Sequence, residues 1–108
     1  STPLNDPTET SSIKQVFGEA AYRVPLSGTK GYYGHALGAS GAIEAAICSL
    51  AARRRWLPPT VNLELPDPAC DLPLVVGEGR DLAPDILLSN SFGFGGINAA
   101  LVFRRADV

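Results

Sequence analysis

Apolar residues recur at helical spacing through the middle of the chain. They fall at positions i, i+3, i+4 and i+7, as Ile43, Ala46, Ile47 and Leu50. This pattern predicts a helix from about Leu37 to Arg55. The first half of the helix is built almost entirely from Gly, Ala and Ser, although each glycine costs a helix about 1 kcal/mol relative to alanine. Close approach of another backbone would offset that cost, so we expect this helix to be buried.

Shorter patterns predict the elements on either side of this helix. At the start, Asp6 is placed to cap a first helix, with Glu9 at capping-box spacing. Residues 22–26 form a short apolar run that is typical of a strand. Near the end, the apolar runs 86–88 and 99–103 flank a glycine-rich loop, which predicts a hairpin of two buried strands.

The order of strand, loop and helix predicts an α/β fold in which a mixed sheet packs against a buried helix. So few strands around one helix would leave apolar faces without partners. The chain also contains no Met and opens with Ser1. We therefore expect residues 1–108 to form one domain that is a fragment of a larger fold.

Composition narrows the possible function classes. The 108 residues carry a formal net charge of −2, with 45% hydrophobic and 19% charged residues. This globular composition excludes a disordered tail and a basic module that binds nucleic acid, and no apolar run reaches the roughly 18 residues of a membrane span. Cys48 and Cys70 make no disulfide framework, and no cluster has metal-ligand spacing. We therefore expect a cytoplasmic protein that binds no metal, nucleic acid or membrane.

The single histidine is the first candidate for chemistry. His35 follows Gly34 where a strand is predicted to end and the long helix to begin, and loops of this kind carry the sites of α/β sheets. The positive potential of a helix N-terminus disfavours protonation of a nearby imidazole. A neutral histidine there can donate a hydrogen bond to a developing oxyanion. The alternative is a structural histidine whose hydrogen bonds are satisfied.

A lysine and a glutamate flank this histidine. Lys30 precedes it by five residues, and Glu44 follows it by nine within an apolar stretch of the helix. A carboxylate in a buried helix needs a partner; Lys30 is the candidate, with arginines elsewhere as competitors. The pair would orient the ring of His35 and help to keep it neutral. An ordinary ion pair on a partly exposed helix face is the alternative.

The loop between the hairpin strands is the third candidate. Three of the four residues from 93 to 96 are glycines, which can adopt positive φ and aim backbone N–H groups at a reacting carbonyl, as an oxyanion hole requires. A glycine-rich hairpin with two packed phenylalanines, Phe92 and Phe94, is the alternative. The arginine run 53–55 fits the dipole at a helix C-terminus, with a docking patch for an acidic partner as the alternative.

Five sequence motifs, in the same order along nearly the whole chain, resemble the C-terminal half of β-ketoacyl-acyl-carrier-protein synthases. They lie at 1–9, 29–35, 37–45, 58–63 and 89–98 and read STPLNDPTE, TKGYYGH, LGASGAIEA, PPTVNL and SNSFGFGGIN. The resemblance is to the elongating condensing enzymes of fatty acid synthesis and the related polyketide ketosynthases. It implies a thiolase-type layered fold, of which this chain would form most of the second half and lack the N-terminal half.

The resemblance also implies a reaction and roles for individual residues. An acyl group carried on the phosphopantetheine of acyl carrier protein passes to a cysteine, and malonyl carrier protein then decarboxylates and attacks the acyl-enzyme thioester. His35 matches a histidine that donates a hydrogen bond to the thioester oxygen as the enolate forms. Lys30 matches the lysine of the same motif, and Glu44 matches the carboxylate partner of that lysine. The backbone N–H of Phe94 matches an oxyanion-hole donor and its ring a gate over the acyl pocket, with Phe92 as the neighbouring aromatic residue.

The same resemblance implies acyl carrier protein as the partner, a homodimer or heterodimer, and no cofactor of the chain's own. The nucleophile would come from the missing N-terminal half, since neither Cys48 nor Cys70 lies in its motif. Tyr32 and Tyr33 are bulkier than is usual before the Gly-His pair, which leaves the substrate class open. Two alternatives remain: a non-catalytic partner subunit of the chain-length-factor type, and a thiolase-fold synthase that acts on coenzyme A thioesters.

Overall fold

The computed structural model describes residues 2–106 as short helices followed by strands. The helices are α1 (Asn5–Phe17), α2 (Lys30–Tyr33) and α3 (Ser40–Arg54), and the strands are β1 (Trp56–Leu57), β2 (Arg80–Asp81), β3 (Ile86–Phe92) and β4 (Asn98–Arg104). Short 3₁₀ helices lie at Gly18–Arg23, Leu37–Ala39 and Phe94–Gly96. Ser1, the first residue of the first motif, lies outside the described residues.

The hairpin of β3 and β4 confirms the sequence prediction. Its antiparallel register runs from Ile86 opposite Arg104 to Phe92 opposite Asn98. Strands β1 and β2 form a second antiparallel ladder. Two isolated parallel bridges join the loops, Leu26 with Leu74 and Thr60 with Val76. The pairing is therefore mixed, as expected, but it is divided between two short ladders and two bridges.

Helix α3 confirms the prediction made from the spacing of its apolar residues. It packs against β1, β3 and β4. A Cβ atom on Gly41 would stand at an ordinary contact distance of 3.9 Å from Ser91 Oγ of β3, and one on Gly38 would meet nothing within 4 Å, so the close backbone approach predicted for these glycines is not seen at either position in residues 2–106. Within this helix only Ser40, Ala51 and Ala52 are buried. The sequence predicted that this helix is buried. In the structure it is buried only at its two ends.

Two local predictions near the start of the chain are wrong. Residues 22–26 form no strand, because the first two of them close a 3₁₀ helix and only Leu26 makes a β-bridge. Asp6 does not cap α1 but lies within it, and Thr2 Oγ1 instead accepts the hydrogen bond of Asn5 N–H at 2.9 Å. The strand prediction fails because Leu26 pairs with Leu74, which a short sequence window does not contain, whereas the cap prediction fails because a residue only three positions before Asn5 makes the hydrogen bond.

Few side chains are buried in the described chain. The buried hydrophobic residues are Ala21, Ala51, Ala52, Leu72 and Val75. The outer faces of the hairpin stay in solvent, with Ile86 65% and Val102 68% exposed. The prediction of two buried strands is therefore wrong for residues 2–106, because no element among them covers these faces. No helix in this part of the chain is long and apolar enough to cross a membrane.

Candidate active site

His35 lies in the loop between α2 and α3. Helix α2 ends at Tyr33 and is capped by Gly34, whose φ of 82° is a positive value that glycine adopts at little cost. Gly34 N–H donates to Lys30 O at 2.7 Å. The same helix lies close against a neighbouring loop, since a Cβ atom on Gly31 would stand 2.9 Å from the carbonyl oxygen of Val61. These backbone contacts fix the end of α2 and therefore the start of the loop that carries His35.

The ring of His35 is oriented by the residues that lead into α3. Its Nδ1 accepts a hydrogen bond from Leu37 N–H at 2.9 Å, and Ser40 Oγ lies 3.3 Å from the same nitrogen. Leu37 has a φ of 50°, a left-handed conformation that costs a non-glycine residue about 1–2 kcal/mol. Because a backbone amide only donates, Nδ1 carries no proton and Nε2–H is the donor of the neutral ring. The ring is thus contacted by Leu37 and Ser40, while Lys30 and Glu44 bond each other.

Lys30 and Glu44 form the ion pair that the sequence predicted. Lys30 Nζ bonds Glu44 Oε1, and the two side chains are 39% and 14% exposed. The pair connects α2 to α3 and so braces both ends of the loop that carries His35. Because a mostly buried carboxylate is costly without an oppositely charged partner, the lysine stabilises Glu44 in this position.

Glu9 joins this pair, which the sequence did not predict. Its spacing indicated a capping box, but the structure places it near the side chain of Asn90, which lowers its pKa, and within range of the charges of Lys30 and Glu44. Burial raises the pKa of Glu9, and the charge of Asp6 raises it further, against the lowering effect of Asn90 and Lys30. The meeting of α1 with β3 is a tertiary contact, so no local spacing could have revealed it.

Both phenylalanines at the turn of the hairpin are exposed: Phe92, which ends β3, and Phe94, which lies between β3 and β4. Phe92 is 50% exposed and Phe94 is fully exposed, so the alternative of two packed phenylalanines is wrong. Gly93 N–H donates to Ile97 O at 2.8 Å, and the two glycines after Phe94 take φ values of 79° and 78°, which favour glycine. The glycines form the predicted tight turn and leave the side chain of Phe94 outside it.

The loop and the histidine are connected through the first turn of α3. Gly41 of that turn lies against Ser91, the residue before Phe92, and Asn90 is near enough to Glu9 to lower its pKa. The structure therefore brings Lys30, Glu44 and Glu9 together and sets His35 between the elements they join. The fully exposed side chain of Phe94 is not brought against these residues.

The arrangement supplies hydrogen-bond donors and no nucleophile. Both cysteines are free, and Cys48 lies on α3 in the same helix as Glu44. Burial, followed by the charge of Glu44, raises the pKa of the Cys48 thiol. A thiol that is held protonated is a poor nucleophile. Among residues 2–106 no three His, Cys, Asp or Glu side chains are grouped so that they could hold a metal ion.

Comparisons with known proteins identify the family to which this chain is similar. The family model described as the C-terminal domain of beta-ketoacyl synthase matches residues 1–64. The chain is 53% identical over 105 residues to 3-oxoacyl-[acyl-carrier-protein] synthase 2 of Synechocystis sp., and 51% identical over 105 residues to the synthase of the same name from Coxiella burnetii. Each alignment covers 97% of this chain and 25% of the relative, so the chain spans about a quarter of the length of these proteins.

Two solved structures share the fold. One is of a type II PKS acyl-carrier protein in complex with its ketosynthase bound to the hexaketide; it contains a chain with a TM-score of 0.95 and 38% identity, covering 98% of this chain and 26% of that one. A beta-ketoacyl synthase from Burkholderia phymatum has a TM-score of 0.90 and 42% identity, covering 97% and 25%. These similarities confirm the predicted α/β fold of the thiolase-type ketosynthases. The chain belongs to the β-ketoacyl synthase family and corresponds to its C-terminal domain.

Proposed function

We propose that this chain supplies the histidine part of the active site of a 3-oxoacyl-[acyl-carrier-protein] synthase. The reaction is the decarboxylating Claisen condensation of malonyl carrier protein with an acyl-enzyme thioester, in fatty acid or polyketide synthesis. The observation that carries the proposal is the ring of His35, whose Nδ1 accepts Leu37 N–H at 2.9 Å and whose Nε2–H is left to donate. The names of the relatives, which are 3-oxoacyl-[acyl-carrier-protein] synthases, support it.

His35 acts on the malonyl thioester. As the malonyl carboxylate leaves as CO₂, the electron pair of the broken C–C bond moves towards the thioester and forms an enolate. Nε2–H of His35 donates to the oxygen on which this charge develops, and it keeps its proton throughout. A neutral imidazole suits this step because a stronger acid would protonate the enolate and remove the nucleophile.

The enolate carbon then attacks the carbonyl carbon of the acyl-enzyme thioester, and the tetrahedral intermediate collapses with release of the cysteine thiolate. We assign the backbone N–H of Phe94 to the oxyanion of this intermediate, since the glycines around it shape a loop that can present the amide. The rings of Phe94 and Phe92 stand at the entrance to the acyl pocket. The cysteine itself comes from a part of the protein outside this chain.

Lys30 and Glu44 act as positioning residues in this reaction. Their ion pair joins α2 to α3 on the two sides of His35, so it maintains the distance between the elements that hold the ring. Glu9 extends the same network to α1 and β3. A donor that is fixed before the substrate arrives needs no reorganisation as the enolate charge appears.

Partners follow from the same proposal. Acyl and malonyl groups arrive on the phosphopantetheine of acyl carrier protein, so the chain needs no cofactor of its own. Further polypeptide covers the apolar faces represented by Ile86 and Val102, in agreement with the chain matching only 25% of its relatives. The assembly is a homodimer or heterodimer, and the two free cysteines suit the reducing cytoplasm.

Replacement of His35 tests the proposal. In the full-length protein that contains this chain, we expect His35→Ala to slow condensation at least about 100-fold, the cost of one lost oxyanion donor. Uptake of the acyl group by the nucleophilic cysteine should persist, so acyl transfer and product formation are measured separately. His35→Gln, which retains an N–H donor, should keep part of the activity. An unchanged product yield in His35→Ala would exclude the assignment.

A non-catalytic partner subunit is the second candidate. It is favoured by the structure of the ishigamide ketosynthase/chain length factor, which contains a chain with a TM-score of 0.82 and 36% identity over 94% of this chain. A subunit of that type takes up no acyl group, and His35→Ala would leave the product rate of its heterodimer unchanged. An acyl-transfer assay on the full-length protein, with carrier-protein and coenzyme A donors compared, separates both candidates from a coenzyme A-dependent synthase.

A further inference from the structure

Ser40 differs from other helical serines of this chain in what its hydroxyl contacts. Ser12 and Ser49 each donate to the backbone carbonyl four residues earlier, at 2.9 Å, which is a common arrangement for helical serines. Ser40 is only 7% exposed, and its Oγ instead lies 3.3 Å from Nδ1 of His35. Since buried hydroxyl groups are nearly always hydrogen-bonded, the imidazole is the natural partner of this serine.

Leu37 decides the direction of that hydrogen bond. A hydroxyl group can donate or accept, so Ser40 alone would allow either tautomer of the ring. Leu37 N–H can only donate, and it meets Nδ1 at 2.9 Å. Nδ1 is therefore unprotonated, and the hydroxyl hydrogen of Ser40 points at the same nitrogen. Two donors, one from the backbone and one from the side chain of α3, converge on one ring atom.

We propose that Ser40 is a positioning residue that holds His35 in the tautomer with the proton on Nε2. The inference rests on the proposed function, in which Nε2–H is the donor to the enolate. A proton on Nδ1 would face Leu37 N–H directly, and a half-turn of the ring would replace Nδ1 by a carbon and lose both hydrogen bonds. Ser40 thus adds a second restraint on the tautomer and on the ring plane.

Nitrogen-15 NMR of histidine-labelled full-length protein tests this restraint directly. The His35 resonances are identified by their absence in His35→Gln. In Ser40→Ala we expect the Nδ1 resonance to move downfield, as it does when an imidazole nitrogen accepts fewer hydrogen bonds. Ser40→Cys should give an intermediate shift because a thiol is a weak donor. Ser49→Ala removes a hydroxyl from the same helix without touching the ring, so it should leave the resonance unchanged.

Kinetics supply the second readout. We expect Ser40→Ala to lower the kcat of condensation about two- to tenfold, the effect of one net hydrogen bond. The KM for malonyl carrier protein and the uptake of the acyl group should stay constant, because the serine acts through His35 and not on the substrate. Ser40→Cys should fall between the wild type and Ser40→Ala.

The outcomes separate this inference from the proposed function. An Nδ1 resonance that does not move in Ser40→Ala and Ser40→Cys would overturn the positioning role, whatever the enzyme catalyses. A raised KM at constant kcat would overturn it as well, because it would place Ser40 in substrate binding. Condensation that survives in His35→Ala would remove the proposed function and leave the NMR result standing.

Discussion

The candidate site consists of two parts that this chain completes to different degrees. The histidine corner comprises Glu9, Lys30, His35, Ser40 and Glu44. Its polar groups meet partners within the chain, through an ion pair, a buried hydroxyl and hydrogen bonds to one ring nitrogen. The phenylalanine loop comprises residues 92–97. A hydrogen bond of 2.8 Å from Gly93 N–H to Ile97 O closes its backbone, but the side chain of Phe94 is fully exposed.

The difference shows which part of the site is already organised by contacts within this chain before substrate binds. In the histidine corner, geometry and stability depend on the same contacts, so substitutions there should affect both folding and catalysis. In the phenylalanine loop, the backbone is fixed by glycines while the side chain of Phe94 is fully exposed and that of Phe92 is half exposed. Substitution of those side chains should therefore affect catalysis without affecting folding. Three predictions test this division, beginning with the largest effect on stability.

Lys30→Met is expected to destabilise the protein by about 1–3 kcal/mol, because it leaves the nearly buried carboxylate of Glu44 without its partner. The free energy of unfolding is measured by denaturant titration of the full-length protein. Lys30→Met combined with Glu44→Leu should recover most of the loss, since both charges are then removed. Recovery would show that the cost arises from the unpaired carboxylate.

Lys14→Met is the matched control for this experiment. Lys14 forms an ion pair with Asp71 on the surface, where water can solvate the carboxylate that remains, so the loss of stability should be much smaller. Equal losses of unfolding free energy in Lys30→Met and Lys14→Met would contradict the view that contacts within this chain stabilise the histidine corner.

Glu9→Gln should change how stability depends on pH. Burial, followed by the charge of Asp6, raises the pKa of Glu9 above 4.5, so the folded state binds this proton more tightly than the unfolded state. The wild type then loses stability as pH rises from the unfolded pKa through the raised folded pKa. The glutamine variant has no such proton, so it should gain stability relative to the wild type between acidic and neutral pH, measured as the difference in unfolding free energy.

Asp71→Asn gives a control of opposite sign. The hydrogen bond from Lys14 lowers the pKa of Asp71 below 3.8, so this carboxylate contributes stability above its unfolded pKa that is lost as pH falls through the lower folded value. The asparagine variant should therefore have a lower free energy of unfolding than the wild type towards neutral pH. If both variants shift the pH profile in the same direction, Glu9 does not carry a buried charge.

The sequence predicts the parts of this site whose evidence is local, and it misses those that depend on tertiary contacts. The period of α3 and the glycines after Phe94 are local, and both elements form as predicted. The pairing of Lys30 with Glu44 could also be inferred, because a carboxylate among apolar residues requires a cation. Ser40 and Glu9 gave no such signal, since a serine at a helix start and a glutamate in a first turn have ordinary local explanations.

Phe94→Ala should have the smallest effect on stability, within about 0.5 kcal/mol of zero, because its side chain loses no contact when it is removed. The backbone N–H assigned to the oxyanion survives this substitution, so condensation should continue, while the preference for acyl chains of different length should change because the aromatic gate is absent. Denaturant unfolding and product analysis with acyl groups of several lengths measure the two effects.

Phe103→Ala provides the contrast within the same hairpin. Phe103 lies opposite Leu87 in the β3–β4 register and is half-buried, so its truncation should destabilise the protein and leave the acyl-chain preference unchanged. If Phe94→Ala instead destabilises as strongly as Phe103→Ala, the phenylalanine loop packs against further polypeptide in the full-length protein. Its aromatic residues would then support the fold, and the division between an organised corner and a substrate-facing loop would fail.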